Sequence, residues 1–160
     1  EVYLGKERGT GREVAIKRIP KVPKRPLPHL RSLGYPRATT AAYLGKIQNE
    51  VDVLDTLNGS LNVVGMYGAW EDELSVLIAM DMCRGGTIFE RMDAGEYNEG
   101  QAKEVVRSVV QMLSQCHSRG IMYMDVKPDN FLYLSDAQGS VLKAIDFGLA
   151  QKFERGVWMK

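Results

Sequence analysis

Cysteine is scarce in this chain: Cys83 and Cys116 are the only two among 160 residues. A disulfide framework is not needed at this length, so a reducing compartment, cytoplasmic or otherwise intracellular, is the expected setting. Histidine is equally rare. His29 and His117 have no second ligand at metal spacing, and both read as structural or solvated residues. No stretch reaches the roughly eighteen apolar residues of a membrane helix, and the N-terminus lacks the basic-then-apolar layout of a secretory signal. Excess charge is missing too, since the formal net charge of +1 points to no acidic or basic partner in bulk. A starting methionine is also absent, which suggests a fragment of a longer chain.

What is present fits one globular domain of the common size of roughly 100 to 200 residues. Residues 2–4 and 13–19 are β-rich runs joined by Gly9-Thr10-Gly11, the signature of an antiparallel hairpin. Residues 20–43 break the pattern with Pro20, Pro23, Pro26, Pro28 and Pro36, and no acidic residue occurs between Glu13 and Glu50. This segment reads as a basic insertion, with binding of an acidic partner or nucleic acid as the weaker alternative. Ile47, Val51, Leu54 and Leu57 recur at helical spacing and predict a helix over 43–57, stopped by Asn58-Gly59. Residues 63–70 and 75–82 form a second hairpin pattern, and a short helix is expected to open at Thr87. A long helix is predicted from Asn98 to about Arg119, with Asn98 and Gln101 as a capping box and Gly120 just past its end. Its expected apolar face is Ala102, Val105, Val106, Val109, Leu113 and Cys116, and three short apolar segments follow at 121–124, 131–134 and 141–145.

Two aspartates stand at the ends of apolar runs, each followed by turn-forming residues. Asp125 opens Asp125-Val126-Lys127-Pro128-Asp129-Asn130, and Asp146 opens Asp146-Phe147-Gly148. Taken singly, each could be an ordinary Asp-containing turn at a strand end. Together, Asp125, Lys127, Asn130 and Asp146 offer hard oxygen ligands for magnesium and a cation for phosphate. The four specified letters of Asp-x-Lys-Pro-x-Asn would arise by chance in roughly one chain of this length in a thousand.

With Val14-Ala15-Ile16-Lys17 upstream, these segments resemble the strand lysine, catalytic loop and magnesium aspartate of eukaryotic-type serine/threonine protein kinases, in the family's order. Met82-Cys83-Arg84-Gly85-Gly86, Cys116-His117-Ser118-Arg119-Gly120 and Asp129-Asn130-Phe131-Leu132 are most similar to the calcium-dependent protein kinases. The resemblance implies an α+β, two-lobe fold: a small lobe over residues 1–80 with an antiparallel sheet and one helix, a hinge at 81–83, and the start of a mainly helical large lobe over 84–160. It implies ATP and Mg²⁺ as cofactors and a protein serine or threonine hydroxyl as acceptor. Lys17 would contact the α and β phosphates and pair with Glu50, although Asp52 lies close enough in sequence to compete for that role. Asp125 would handle the proton of the substrate hydroxyl, Lys127 would sit near the transferred phosphate, and Asn130 and Asp146 would hold Mg²⁺. Val2, Ala15, Met80 and Leu132 would line the nucleotide, with the backbone of Asp81 to Cys83 on the adenine edge. Met80 is equally compatible with a plain core role.

The chain departs from the family pattern at several places. Tyr123-Met124 replaces the usual His-Arg before the catalytic aspartate, so a cation that could anchor a phosphorylated activation loop is missing and control by another route is expected. Thr87 stands where relatives carry an acid, which puts a preference for basic substrates in doubt. Glu1-Val2 matches the tail of a glycine-rich phosphate loop and no Ala-Pro-Glu follows Gly148, so the match is expected to be a partial domain. A nucleotide-binding pseudokinase or scaffold, or an interaction module working through the basic segment, are the competing readings.

Overall fold

The computed structural model describes residues 1–22, 40–95, 97–154 and 156. Most of the basic segment, His29 among it, and residues 157–160 lie outside that set. Strand β1 (Val2–Lys6) pairs antiparallel with β2 (Glu13–Pro20), as the hairpin pattern predicts. The turn between them closes through the Glu7 N–H on the Arg12 carbonyl at 2.8 Å, with Gly11 at a φ of 73° that a side chain would disfavour. Strands β3 (Met66–Glu71) and β4 (Ser75–Asp81) form the second hairpin, and the sheet runs in the order β1-β2-β4-β3. The expected start of β3 at Val63 is too early: Val63 instead makes an isolated parallel bridge to Ala144.

Register decides what this sheet offers. Val2 lies opposite Lys17, Lys17 opposite Ile78, Leu4 opposite Ala15 and Ala15 opposite Met80. Directly opposed residues share a face and strand neighbours alternate, so Val2, Ala15, Lys17 and Met80 stand on one side of the sheet.

Helix α1 (Thr40–Leu57) starts three residues before the expected Tyr43. Its buried positions are Ile47, Glu50, Val53, Leu54 and Leu57, so a carboxylate sits in line with the apolar stripe. The helix stops at Asn58-Gly59, with Gly59 at a φ of 81°. Helix α2 (Ile88–Asp93) is capped by Thr87 and Glu90 in a capping box, and α3 (Glu99–Ser118) by Asn98 and Gln101 in another. Both capping residues use a side-chain oxygen to bind an N–H that the first helical turn leaves unpaired.

The apolar face of α3 is rotated from the expected one. Met112 and Cys116 are fully buried and Val105, Val109 and Leu113 pack against the core, whereas Ala102 and Val106 are exposed. Positions 105, 109, 112, 113 and 116 follow steps of four, three, one and three, which keeps them on one stripe; 106 lies beyond its edge, while 102 is in line with it but sits in the first turn of the helix, ahead of the core.

After α3 come β5 (Ile121–Met122), a 3₁₀ turn over Pro128–Asn130, β6 (Phe131–Tyr133), β7 (Leu142–Ala144) and β8 (Gln151–Lys152). Strands β6 and β7 pair antiparallel, as do β5 and β8. The segment between α1 and β3 lies along β7: the Ala144 N–H donates to the Asn62 carbonyl and the Val64 N–H to the Ala144 carbonyl, both at 2.9 Å. The sheet and the helical half are thereby joined just ahead of Asp146. One core spans the junction, with Leu54, Leu57 and Ile78 from one side and Met112, Ile121, Tyr123, Phe131 and Phe147 from the other.

Candidate active site

Lys17 projects from β2 and meets two carboxylates. Its Nζ lies 2.5 Å from Glu50 Oε1 and 3.1 Å from Asp146 Oδ1. Glu50, not Asp52, is the partner; Asp52 instead faces Lys152, with Nζ and Oδ2 3.6 Å apart. The Glu50 side chain is 6% exposed and that of Lys17 21%, so the pair is shielded from water and its attraction is strong relative to a surface pair. Burial is the largest single influence on Lys17 and lowers its pKa, but Glu50 and Asp146 together outweigh it and hold the value above the ordinary 10.5. Lys17 is therefore a fixed cation.

Asp146 follows β7 by two residues and takes the Gly148 N–H on Oδ1 at 3.1 Å. Burial pushes its pKa up and is the largest influence, yet Lys17 and the Gly148 N–H outweigh it, and the carboxyl stays below 3.8. With Oδ1 shared by Lys17 and Gly148, Oδ2 is the atom left for a metal. Gly148 is held close: a Cβ there would lie 3.3 Å from Asp146 Oδ1 and 3.5 Å from Glu50 Oε2.

Asp125 belongs to a second cluster on the loop between β5 and the 3₁₀ turn. Lys127 Nζ donates to Asp125 Oδ2 at 2.7 Å, and Asn130 Nδ2 donates to the Asp125 carbonyl at 2.9 Å and to Oδ2 at 2.7 Å. Pro128 stands at the start of the 3₁₀ turn, where its missing N–H costs nothing, and the turn delivers Asn130 back toward Asp125. The Lys127 hydrogen bond is the largest influence on the Asp125 carboxyl and, together with that of Asn130, outweighs the opposing effect of burial and holds it below its ordinary range. Asn130 is buried, and because its nitrogen serves Asp125 its amide oxygen is the ligand atom that remains.

The loop carrying Asp125 is anchored from behind by Tyr123, 1% exposed, whose ring packs edge-on against Phe147 at 4.9 Å and Phe131 at 6.0 Å. The Tyr123 hydroxyl has no hydrogen-bond partner among the described residues, and burial raises its pKa strongly. Met124, the next residue, has a φ of 70° and is the one described non-glycine residue with a positive φ. That conformation costs an L-residue about 1–2 kcal/mol, and the chain turns there to present Asp125.

The remaining expected residues fall as follows. Met80 is 5% exposed and part of the main core, so its core role is met whatever else it does. The Asp81 N–H donates to the Gly65 carbonyl at 2.9 Å. Its side chain points away into a network that sequence alone did not suggest: Oδ1 accepts from Tyr67 Oη at 2.7 Å, and Oδ2 accepts from the Gly65 N–H at 2.8 Å and pairs with Lys143 at 3.3 Å. Cys83 is half-buried and its thiol is pushed up to about 11, chiefly by burial, so it stays protonated at neutral pH. Leu132, between the buried Phe131 and Tyr133, bridges to Thr87 and is partly exposed. Thr87 itself uses its hydroxyl to cap α2.

Asn49 was also missed. Its Nδ2 donates to the Ala150 carbonyl at 2.8 Å, joining α1 to the chain just past Gly148.

The family model described as "Protein kinase domain" matches residues 1–160. Calcium-dependent protein kinase 11 of Oryza sativa subsp. japonica is 38% identical over 155 residues, covering 96% of this chain and 24% of that protein. CDPK-related kinase 8 of Arabidopsis thaliana is 39% identical over 142 residues, covering 88% of this chain and 21% of that protein. Calcium-dependent protein kinase 2 of Arabidopsis thaliana is 38% identical over 153 residues, covering 95% and 22% respectively. The chain thus spans about a quarter or less of the length of these relatives. Among the described residues no helix is long and apolar enough to cross a membrane.

Proposed function

The chain belongs to the protein kinase domain family, and from that premise we propose that it is the nucleotide-binding and catalytic part of a serine/threonine kinase using Mg-ATP. The observation that carries this reading is the convergence of Lys17, Glu50 and Asp146 in one ion cluster, with Asp125, Lys127 and Asn130 in another. In this reading residues 1–80 are the small lobe, 81–83 the hinge and 84–160 the start of the large lobe.

The donor set suits the cofactor. Carboxylate and amide oxygens of Asp146 and Asn130 are hard ligands of the kind Mg²⁺ takes alongside substrate phosphates. Bound Mg-ATP would supply the phosphoryl group, and a catalyst then needs chiefly to position the reactants and neutralise charge. Lys17, pinned between Glu50 and Asp146, would present a fixed cation to the nucleotide phosphates. Val2, Ala15, Met80 and Leu132 would supply apolar surface to the base, with the main chain of Asp81 to Cys83 along its edge. Asp125 is ionised at neutral pH and aligned by Asn130, so it would orient the incoming hydroxyl and take its proton. Lys127 would offset the charge gathering between them. Lys127 two residues after Asp125 favours serine or threonine as acceptor.

Expression of the full-length protein with a generic acceptor tests this. Transfer from Mg-ATP should fall by about 10²- to 10⁴-fold in Asp125→Asn while nucleotide binding persists. A second reading, a nucleotide-binding pseudokinase, draws on Tyr123-Met124 in place of the usual pair. Mg-ATP binding without any turnover by the unaltered protein would select it.

A further inference from the structure

Helix α1 turns two consecutive side chains to two different elements. Glu50 takes Lys17 of β2, and Asn49 takes the Ala150 carbonyl of the chain that runs from Asp146. Ala150 is 3% exposed, and its own N–H closes a turn on the Phe147 carbonyl at 3.0 Å, so the carbonyl that Asn49 grips is part of the same compact turn as Asp146-Phe147-Gly148. Beyond it the chain is held by backbone: Gln151 and Lys152 pair with Met122 and Ile121, and the Phe153 N–H donates to the Gly120 carbonyl at 2.8 Å. The Lys152 to Asp52 pair adds an exposed tie worth at most about 1 kcal/mol. Met124 brings no cation to the spot before Asp125 that could anchor a phosphate on the following segment.

We infer that Asn49 is a positioning residue: its amide fixes α1 against the turn after Asp146, so that Glu50, Lys17 and Asp146 come into register without phosphorylation of the following segment. The inference rests on the kinase reading and deepens it. A side chain that donates to a buried carbonyl cannot be replaced by an isosteric carboxylate, which only accepts when ionised. Packing, by contrast, is preserved in such a replacement.

The test uses the full-length protein, with Asn49→Asp as the isosteric variant and Asn49→Ala as the truncation. Acceptor phosphorylation is measured before and after phosphatase treatment, and amide hydrogen exchange is followed over residues 47–54 and 147–152. The expected result is that phosphatase leaves the unaltered protein active, while both variants lose about tenfold or more in kcat with little change in KM for the acceptor peptide. Exchange should rise in both segments together. Wild-type kcat and exchange in Asn49→Asp would overturn the inference, as would loss of wild-type activity on phosphatase treatment. If the unaltered protein transfers no phosphate at all, the kinase reading fails, and unchanged exchange in both variants would then separately overturn the role of Asn49.

Discussion

Tyr123 carries two opposed effects in one side chain. Its ring fills the space between Phe131 and Phe147, yet its hydroxyl is buried without a partner among the described residues. A buried polar group left unmatched costs about 1–3 kcal/mol, while the ring contributes the packing. Tyr123→Phe keeps the ring and removes the orphaned oxygen. Its urea midpoint should therefore equal or exceed that of the parent by up to about 1 kcal/mol in unfolding free energy, and a clear loss of stability would show that the hydroxyl has a partner in solution. Legibility at this scale tracks chemistry. Lys17, Asp125, Asn130 and Asp146 could be picked out because the kinase-like pattern fixes residue type at fixed spacing, and all four stand in the two side-chain clusters. Asn49, Tyr67 and Lys143 could not, since each acts through a contact to a residue 14 or more positions away and nothing in its own neighbourhood signals it.

Between elements, the tightest approach at a described glycine is at Gly85, where the chain leaving β4 crosses the end of β6. A Cβ there would lie 2.1 Å from the Ser135 carbonyl oxygen and 2.6 Å from Tyr133 Cβ, and both are fixed by backbone. The crossing is cemented by the Gly85 N–H on the Tyr133 carbonyl at 2.9 Å and by Arg91 Nε on the Gly85 carbonyl at 2.8 Å. Gly85→Ala cannot be absorbed by a rotamer change, so a loss of about 2–4 kcal/mol is expected, with a matching drop in urea midpoint. Gly139→Ala is the useful contrast, since a Cβ there meets nothing within 4 Å and only its φ of 76° opposes a side chain. A Gly85→Ala loss no larger than that of Gly139→Ala would argue against the close crossing. Sequence patterns locate such elements well where caps mark them: Thr87, Asn98 and Gly120 sit where the capping rules place them. They locate faces less well, because valines are spread around α3, and only the position of β5 to β7 decides that Met112 is buried and Val106, at 62% exposure, is not.

Across the whole molecule, the Lys17, Glu50 and Asp146 cluster is where sheet, α1 and the chain after β7 meet, and its charge states tie stability to pH. Asp146 and Asp125 have folded values below 3.8, so their contributions are present above that value and vanish as pH falls through the lower folded ones. Lys17 runs the other way: its folded value lies above 10.5, so its contribution is complete below 10.5 and disappears as pH rises through the folded value. Glu50→Gln removes the nearer of its two carboxylates and leaves burial less opposed. The variant should be about 2 kcal/mol less stable than the parent at neutral pH, the scale of a hydrogen bond to a charged group. That difference should persist at neutral pH and close as pH rises through the folded value of Lys17, above 10.5, because once Lys17 of the parent gives up its proton the carboxylate no longer has a cation to hold. Urea unfolding of parent and variant from pH 6 to 11.5 measures the gap directly, and titrations common to both proteins cancel from it. A gap that stayed open at the alkaline end would mean that Glu50 stabilises the fold by packing or through some other partner, and that the ion cluster is not what draws α1 against the sheet.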